Sequence, residues 1–498
     1  MMPSVTRPPG LRLLLTCLLL PAALGLAGGT DRNSTAEPFD GLTLVNALTS
    51  STMRLVANDG RTVNVWHCGK PVAYMPYLMP DSTVWRPGRH PNPQLHPGAW
   101  GGLIERYNWH GDIIQSFEWS GPDHIQHHDI YPMPNGNVLV LSVDRRTREE
   151  ARAAGRVDIA TDHLWSEMIV EYDPYTHTVV WVWRLWDHLI QDVDSTLPDY
   201  GKVSEHPGRL DINVGAIQAP GDWIHLNAVD YWEEEDLVII SSNRLSELYV
   251  IDHSTTTEEA RGSAGGRHGR GGDFLYRWGN PQNYGRGGPA DQRFFTVHGV
   301  NSIRPGLPGE GNILAFNNGN RPDSQYSSVE EIIPPRDSLG RFILPPDSAF
   351  GPTEPVWVYA DPGAFYSPSY SGAFRLPNGN TLITEGVRGR VFEVTPGGEV
   401  VWTYNLGAQT GRVQKHPWRF AHQSEPFPAP GVRPSVISGT LLLPASSPRA
   451  ELLDASGRRA ARLRSGANSI AHLRPGVYFV RQAATGEQPV TTKILLTR

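Results

Sequence analysis

Short apolar or aromatic runs of four to seven residues, each stopped by a turn rich in Gly or Asn, recur along the middle of the chain and restrict it to an all-β architecture. One set is rich in Trp and Tyr and occupies residues 113–119, 179–183, 274–278, 356–359 and 400–404. A second set is aliphatic and opens near residues 138, 237, 313 and 381, after turns such as Pro134-Asn135-Gly136-Asn137 and Pro377-Asn378-Gly379-Asn380. Runs this short, with Asn-Gly between them, build antiparallel hairpins, and the expected pairing is one aromatic run with one aliphatic run. The aliphatic runs are too unevenly spaced for minimal repeat units, so insertions must leave the repeats. Segments 144–165, 187–215, 253–272 and 320–350 are the candidates, being rich in Gly, Pro and charge and without sustained helical periodicity.

Histidines sit at comparable places in successive units. His127-His128-Asp129 lies just before the turn that leads to residue 138, His225-Leu226-Asn227 opens the stretch ending at Ser242-Asn243-Arg244, and His298 precedes Gly309-Glu310-Gly311-Asn312 and the run at 313. The same residue type near the same strand of each repeat predicts side chains converging on one axis, as at the mouth of a propeller channel. Imidazole, carboxamide and guanidinium groups so placed bind anions. Three histidines with Asp129 also raise zinc, but nothing here has the close His-x-x-x-His spacing of a helix site, and no metal or other cofactor is expected. Gly265-Gly266 and Gly271-Gly272 lack the strand, lysine and following helix of a nucleotide loop. His188, His206 and His253 fall in the insertions and read as structural.

A chain of 498 residues has room for one large β domain and a small one. Its net charge of -7 and dispersed basic residues, apart from Arg458, Arg459, Arg462 and Arg464, argue against a nucleic-acid partner. Residues 1–27, with Arg7 and Arg12 ahead of an apolar run and Gly25-Leu26-Ala27 at its exit, read as a cleavable secretory signal. The run is shorter than the roughly 20 residues a membrane span needs, and no later segment is apolar enough, so no transmembrane helix is expected in the mature chain. Cys17 lies inside the signal, which leaves Cys68 as a packed thiol without a disulfide partner. Pro426, Pro428, Pro430 and Pro434 mark a boundary between residues 28–430 and a linker with a small module, 431–498, whose strands and turns fit a compact β-sandwich.

From about Gly101 to Trp402 the chain resembles the bacterial arylsulfate sulfotransferase family. The resemblance is carried by Asp222-Trp223-Ile224-His225-Leu226-Asn227, by His298 ahead of residues 313–319, and by Trp186-Asp187-His188-Leu189-Ile190-Gln191-Asp192; the segment from Asp252-His253-Ser254 to Arg277-Trp278-Gly279-Asn280-Pro281 looks like one branch of that family. It implies a six-bladed β-propeller that moves a sulfuryl group from a phenolic sulfate ester to a phenolic acceptor through a covalent sulfohistidine, in ping-pong fashion and without metal. His298 matches the nucleophile, His225 and Asn227 the sulfate-binding histidine and asparagine, and His128 the remaining site histidine, with His127 beside it as a further substrate contact. The family's sulfate-binding arginine is expected where this chain reads Asn243-Arg244, one position out of step, and a one-residue shift turns a side chain to the other face unless a bulge re-aims it.

The C-terminal module resembles the sorting domain of the type IX secretion system, on Asp454-Ala455-Ser456-Gly457-Arg458 and Leu473-Arg474-Pro475-Gly476-Val477-Tyr478-Phe479-Val480. That implies the secretion machinery as a partner, passage through the periplasm and an outer membrane, and an extracellular or cell-surface location. Two other functions fit the same residues: a noncatalytic surface propeller for sulfated or anionic ligands, and a hydrolase in which water replaces the acceptor phenol.

Overall fold

The computed structural model describes residues 36–92 and 94–418, and, between 435 and 496, the strands with some of their connections. The expected signal, residues 1–27, and the expected boundary near residue 430 lie outside the described residues. From Leu42 to His416 the chain forms six four-stranded antiparallel sheets, the blades of a propeller. Blades 2 to 6 each use four consecutive strands, beginning at Tyr77–Leu78, His124–Pro132, Leu226–Trp232, Val297–Ser302 and Gly372–Arg375. Blade 1 is a composite. Leu42–Asn46, Thr52–Ala57 and Thr62–His67 come from the start of the chain, and the fourth strand, Gln414–His416, comes from the far end and pairs antiparallel with Leu42–Asn46.

The aromatic runs are the outermost strands of blades 2 to 6: Ile113–Glu118, Thr178–Arg184, Tyr276–Trp278, Trp357–Ala360 and Val400–Asn405. The aliphatic runs are the second strands of blades 3 to 6: Val138–Thr147, Leu237–Ser242, Ile313–Asn317 and Thr381–Glu385. The two sets do not pair with each other, contrary to expectation, because a third strand separates them in every blade. Those third strands carry buried acids, among them Glu105, Glu171, Glu247, Glu331 and Glu393, which interrupt the hydrophobic pattern. The acids explain the repeated turn sequence. Glycine at positive φ (88° at Gly136, 81° at Gly311, 89° at Gly379) reverses the chain, and the next residue, Asn137, Asn312 or Asn380, donates its amide to Glu171, Glu331 or Glu393 across the hairpin. The same carboxylates then bind His253, Arg375 and Lys415 of the following blade, so each turn is latched to its neighbour. Burial alone would depress His253, but its hydrogen bonds to Asp236 and Glu171 lift it to about 9, which keeps this latch charged at neutral pH.

Two of the expected insertions are partly blade. Residues 144–147 and 163–165 extend the strands Val138–Thr147 and His163–Asp173, joined by a six-residue helix, Arg148–Ala153, with a Thr147/Glu150 capping box. Segment 320–350 contains Ser328–Ile332, the third strand of blade 5. The other two leave the sheet, and His188 of one bonds to the Ala260 carbonyl of the other and to Asp273, a structural tie. Cys68 is buried in the blade 1 core, and burial raises its thiol above the usual range.

After residue 434, a five-stranded sheet (Ser435–Ile437, Val490–Leu496, Gly476–Gln482, Ala450–Asp454, Arg459–Leu463, in spatial order) and the pair Thr440–Leu443 and Gly466–Ser469 share one core that includes Leu441, Leu452, Tyr478 and Ile494. Two sheets over one core make a small β-sandwich. Among the described residues no helix is long and apolar enough to cross a membrane.

Candidate functional site

Three adjacent innermost strands break register at the same level. In blade 3 the pairing jumps between Gln126 and Ile130, in blade 4 between Leu226 and Ala228, and in blade 5 between His298 and Asn301. Around these bulges the backbone enters the left-handed region at His128 (φ 50°), His225 (φ 54°) and Gly299 (φ 60°). For a histidine this conformation is costly, and surrounding structure must hold it. The bulges bring three imidazoles together: the ring centroid of His128 lies 4.9 Å from that of His225 and 6.5 Å from that of His298. At Gly299 a side chain would strike the backbone of Ser371 and Gly372 in blade 6, which explains the glycine after His298.

His298 is 3% exposed. Its Nδ1 lies 2.6 Å from Oδ1 of Asn318. Asn318 donates its own amide to the carbonyls of Ser367 (2.7 Å) and Tyr370 (3.3 Å), which fixes the carboxamide with its oxygen toward the imidazole. Nδ1 therefore carries the proton, and Nε2 keeps its lone pair. Burial, with smaller contributions from the charges of His225 and Arg412, brings the His298 pKa down to about 3 against the Asn318 hydrogen bond. The ring is neutral throughout the physiological range. Burial, then the nearby His225, His127, His298 and Arg412, likewise holds His128 well below the ordinary histidine value.

His225 gives its Nδ1 to Asp222 at 2.9 Å, and the same carboxylate oxygen accepts Nη2 of Arg244 at 2.7 Å. Burial would raise Asp222, but these two partners bring it down to about 2 and keep it ionised. Beneath the histidines, Arg412, two residues before the closing strand, pairs with buried Asp129 and lies 3.2 Å from the Tyr77 hydroxyl, which itself donates to Asp129 at 2.7 Å. This ion pair floors the site.

Of the residues expected from the sequence, His128, His225 and His298 are brought together. His127 is not in that group: its Nε2 meets Glu167 at 2.8 Å and its Nδ1 meets Nδ1 of His128 at 2.9 Å, so both nitrogens are engaged behind His128 instead of toward a ligand. Asn227 is fully buried; its amide donates to the Val297 carbonyl at 2.7 Å and its oxygen accepts the Ser241 hydroxyl at 2.6 Å, tying blade 4 to blade 5 one residue before His298. At the Asn243-Arg244 pair it is Asn243 whose amide approaches His298, at 3.4 Å, while Arg244 stands at the rim with Asp222. No bulge re-aims Arg244, because the bulges lie on the innermost strands.

A model of the arylsulfotransferase (ASST) family matches residues 101–401, more than half of the chain. The chain belongs to the arylsulfotransferase family. A search of curated proteins finds no match. Among solved structures, a Bacteroides caccae protein of unknown function is similar at 9% identity over 75% of this chain and 98% of its own (TM-score 0.40). A streptogramin B lyase is similar at 10% over 75% and 82% (TM-score 0.36), and the Staphylococcus aureus virginiamycin B lyase at 11% over 75% and 84% (TM-score 0.35). Scores this low bear on neither mechanism nor substrate.

Membership makes the chain part of a transferase family whose reaction is sulfuryl transfer, and the histidine cluster has neighbours that the sequence reading passed over. Asn318 and Arg412 are the chief ones. Asn318 ends the second strand of blade 5 as Asn243 ends that of blade 4, so the internal repeat held a signal for it. Arg412 had none, since its place depends on closure of the ring. Asn318→Asp tests the tautomer: a carboxylate at Nδ1 favours the imidazolium, so the acid limb of the pH–rate profile is expected to move up from about 3 toward neutrality, with turnover at pH 6 falling by up to about tenfold. An unchanged limb would separate His298 from the chemistry.

Proposed function

We propose that this chain transfers a sulfuryl group from an aryl sulfate to a phenolic acceptor, with His298 as the nucleophile and no metal. The observation that carries the reading is the bare Nε2 of a neutral, buried imidazole, oriented by Asn318 and flanked by two further histidines. In the first displacement Nε2 attacks sulfur, the sulfur–oxygen bond to the aryl group breaks, and the departing phenolate takes a proton from Nε2 of His225, whose other nitrogen rests on ionised Asp222. In the second, an acceptor phenol attacks the same sulfur as the nitrogen–sulfur bond breaks and returns its proton to His225. Such a sequence is ping-pong. The sulfate oxygens spread charge as phosphoryl oxygens do, so fixed donors supply the stabilisation; Asn243, beside His298, takes the place expected for Arg244, and His128 lines the same cluster. His127 and Asn227 act as positioning residues through His128 and the Val297 backbone.

The same proposal takes residues 1–27 as an export signal and the C-terminal sandwich as the element read by a type IX secretion apparatus, which places the protein outside the cell or on its surface. The test is incubation of the purified chain with a chromogenic aryl sulfate, with and without phenol, followed by phenol release and intact mass. Acceptor-dependent release with a sulfuryl mass added to the protein supports transfer. Release to water alone identifies a hydrolase, and binding without release across several donors identifies an anion-binding propeller.

A further inference from the structure

A loop of blade 2, between the strands Val84–Arg89 and Gly102–Tyr107, reaches across to the histidines of blades 3 and 4. It is pinned at several points. Leu95 is fully buried against Ile125, Val143 and Trp165, the Ala99 carbonyl accepts the backbone N–H of His128 at 2.8 Å, Trp100 bridges His127, and the Arg89 guanidinium covers the Trp100 ring at 4.7 Å. Within this segment Gly98 lies against the imidazoles. A Cβ built there would stand 2.8 Å from Cε1 and 3.3 Å from Nε2 of His225, and 3.5 Å from Cε1 of His128.

The absence of a side chain at this position has no backbone reason, since Gly98 is not in the left-handed region and alanine could adopt its conformation. The reason is the neighbour. His225 cannot retreat without breaking its bond to Asp222, and the loop cannot retreat without withdrawing Ala99 from His128 and Leu95 from its core. The open edge of His225 next to Gly98 contains Nε2, the one ring nitrogen not committed to Asp222.

We infer that Gly98 is a positioning residue: its missing side chain lets the pinned loop lie against His225 while that ring keeps its bond to Asp222 and leaves Nε2 uncommitted. This rests on the sulfuryl-transfer reading, in which Nε2 of His225 gives its proton to the departing phenolate.

The experiment compares the full chain with Gly98→Ala on 4-nitrophenyl sulfate and on phenyl sulfate, whose more basic leaving group depends more on the proton from His225, alongside urea unfolding of both proteins. Gly98→Ala is expected to lower kcat/KM on the order of 10- to 100-fold, because a displacement of about 1 Å at a reacting group costs that much, with phenyl sulfate losing more. The unfolding midpoint is expected to move little. In a His225→Ala background, where the struck ring is gone, adding Gly98→Ala is expected to cost no further activity. Unchanged turnover in Gly98→Ala, equal losses for both donors, or a loss of the same size without the His225 ring overturns the inference while leaving sulfuryl transfer standing. Absence of turnover in the unaltered chain overturns both.

Discussion

Replacing His298 with alanine is expected to reduce aryl sulfate turnover on the order of 10⁴-fold or more and to abolish the sulfuryl adduct, because under the proposed chemistry the variant loses the attacking nitrogen of the first displacement. The fold should tolerate the change: Asn318 keeps its two carbonyl partners, and Gly299, which sets the bulge, is untouched. Intact mass after a short incubation separates this from a merely damaged site, since a slowed enzyme with an intact nucleophile still accumulates adduct. Persistence of turnover with His298→Ala would remove the nucleophile assignment altogether. Loss of turnover with retained aryl sulfate binding is the outcome that distinguishes a chemical role from a ligand contact.

The second large effect is expected at Arg412→Met. Arg412 is 2% exposed and Asp129 is fully buried, so removing the cation leaves an uncompensated carboxylate under the histidines, at a cost of about 3–5 kcal/mol. Burial already raises the Asp129 pKa against the pull of Arg412. Without Arg412 it rises further, so the deficit is absent at low pH, where the acid is protonated in both states. It grows as pH climbs past the unfolded-state value near 3.9 toward the folded-state value. Urea unfolding at pH 5 and pH 8 checks this: the gap between variant and unaltered protein should be wider at pH 8, and Asp129→Asn combined with Arg412→Met should recover most of it. A gap independent of pH would assign the effect to lost packing against Tyr74 and Phe374.

The second strands of blades 3 to 6 and the outermost strands of blades 2 to 6 were legible because they obey simple rules. The aromatic runs sit at the rim and the aliphatic runs fill the sheet core, several of them after a turn whose glycine adopts positive φ, as at Gly111, Gly136, Gly311, Gly379 and Gly398. The third strands were not legible, since buried glutamates such as Glu171 and Glu393 satisfy turn asparagines and mimic surface residues in a one-dimensional pattern. Blade 1 and the three inner strands of blade 2 were missed, and strands like Val84–Arg89 carry Pro87 and Gly88, which normally argue against a strand. At the site, His128, His225 and His298 could be singled out because the repeat places them alike. Gly98 and Arg412 could not, because each is delivered to the histidines from outside their blades and neither has a partner within its own stretch of sequence. Arg244 marks the limit of position-by-position reasoning: with a shift of one residue at a turn, Asn243 stands beside His298 and the cation pairs with Asp222.

The composite first blade sets the order in which activity can arise. Gln414–His416 must find Leu42–Asn46 before the ring exists, and Arg412, carried in by the same segment, must reach Asp129 before the histidines have a floor. A chain still being synthesised holds all three imidazoles and, under the proposed chemistry, has no working centre, so sulfation is withheld until the propeller is topologically complete. Under the same chemistry, loss of the chain from Gln414 onward removes a strand of blade 1 and with it activity, whereas loss of residues 435–498 leaves all six four-stranded sheets whole.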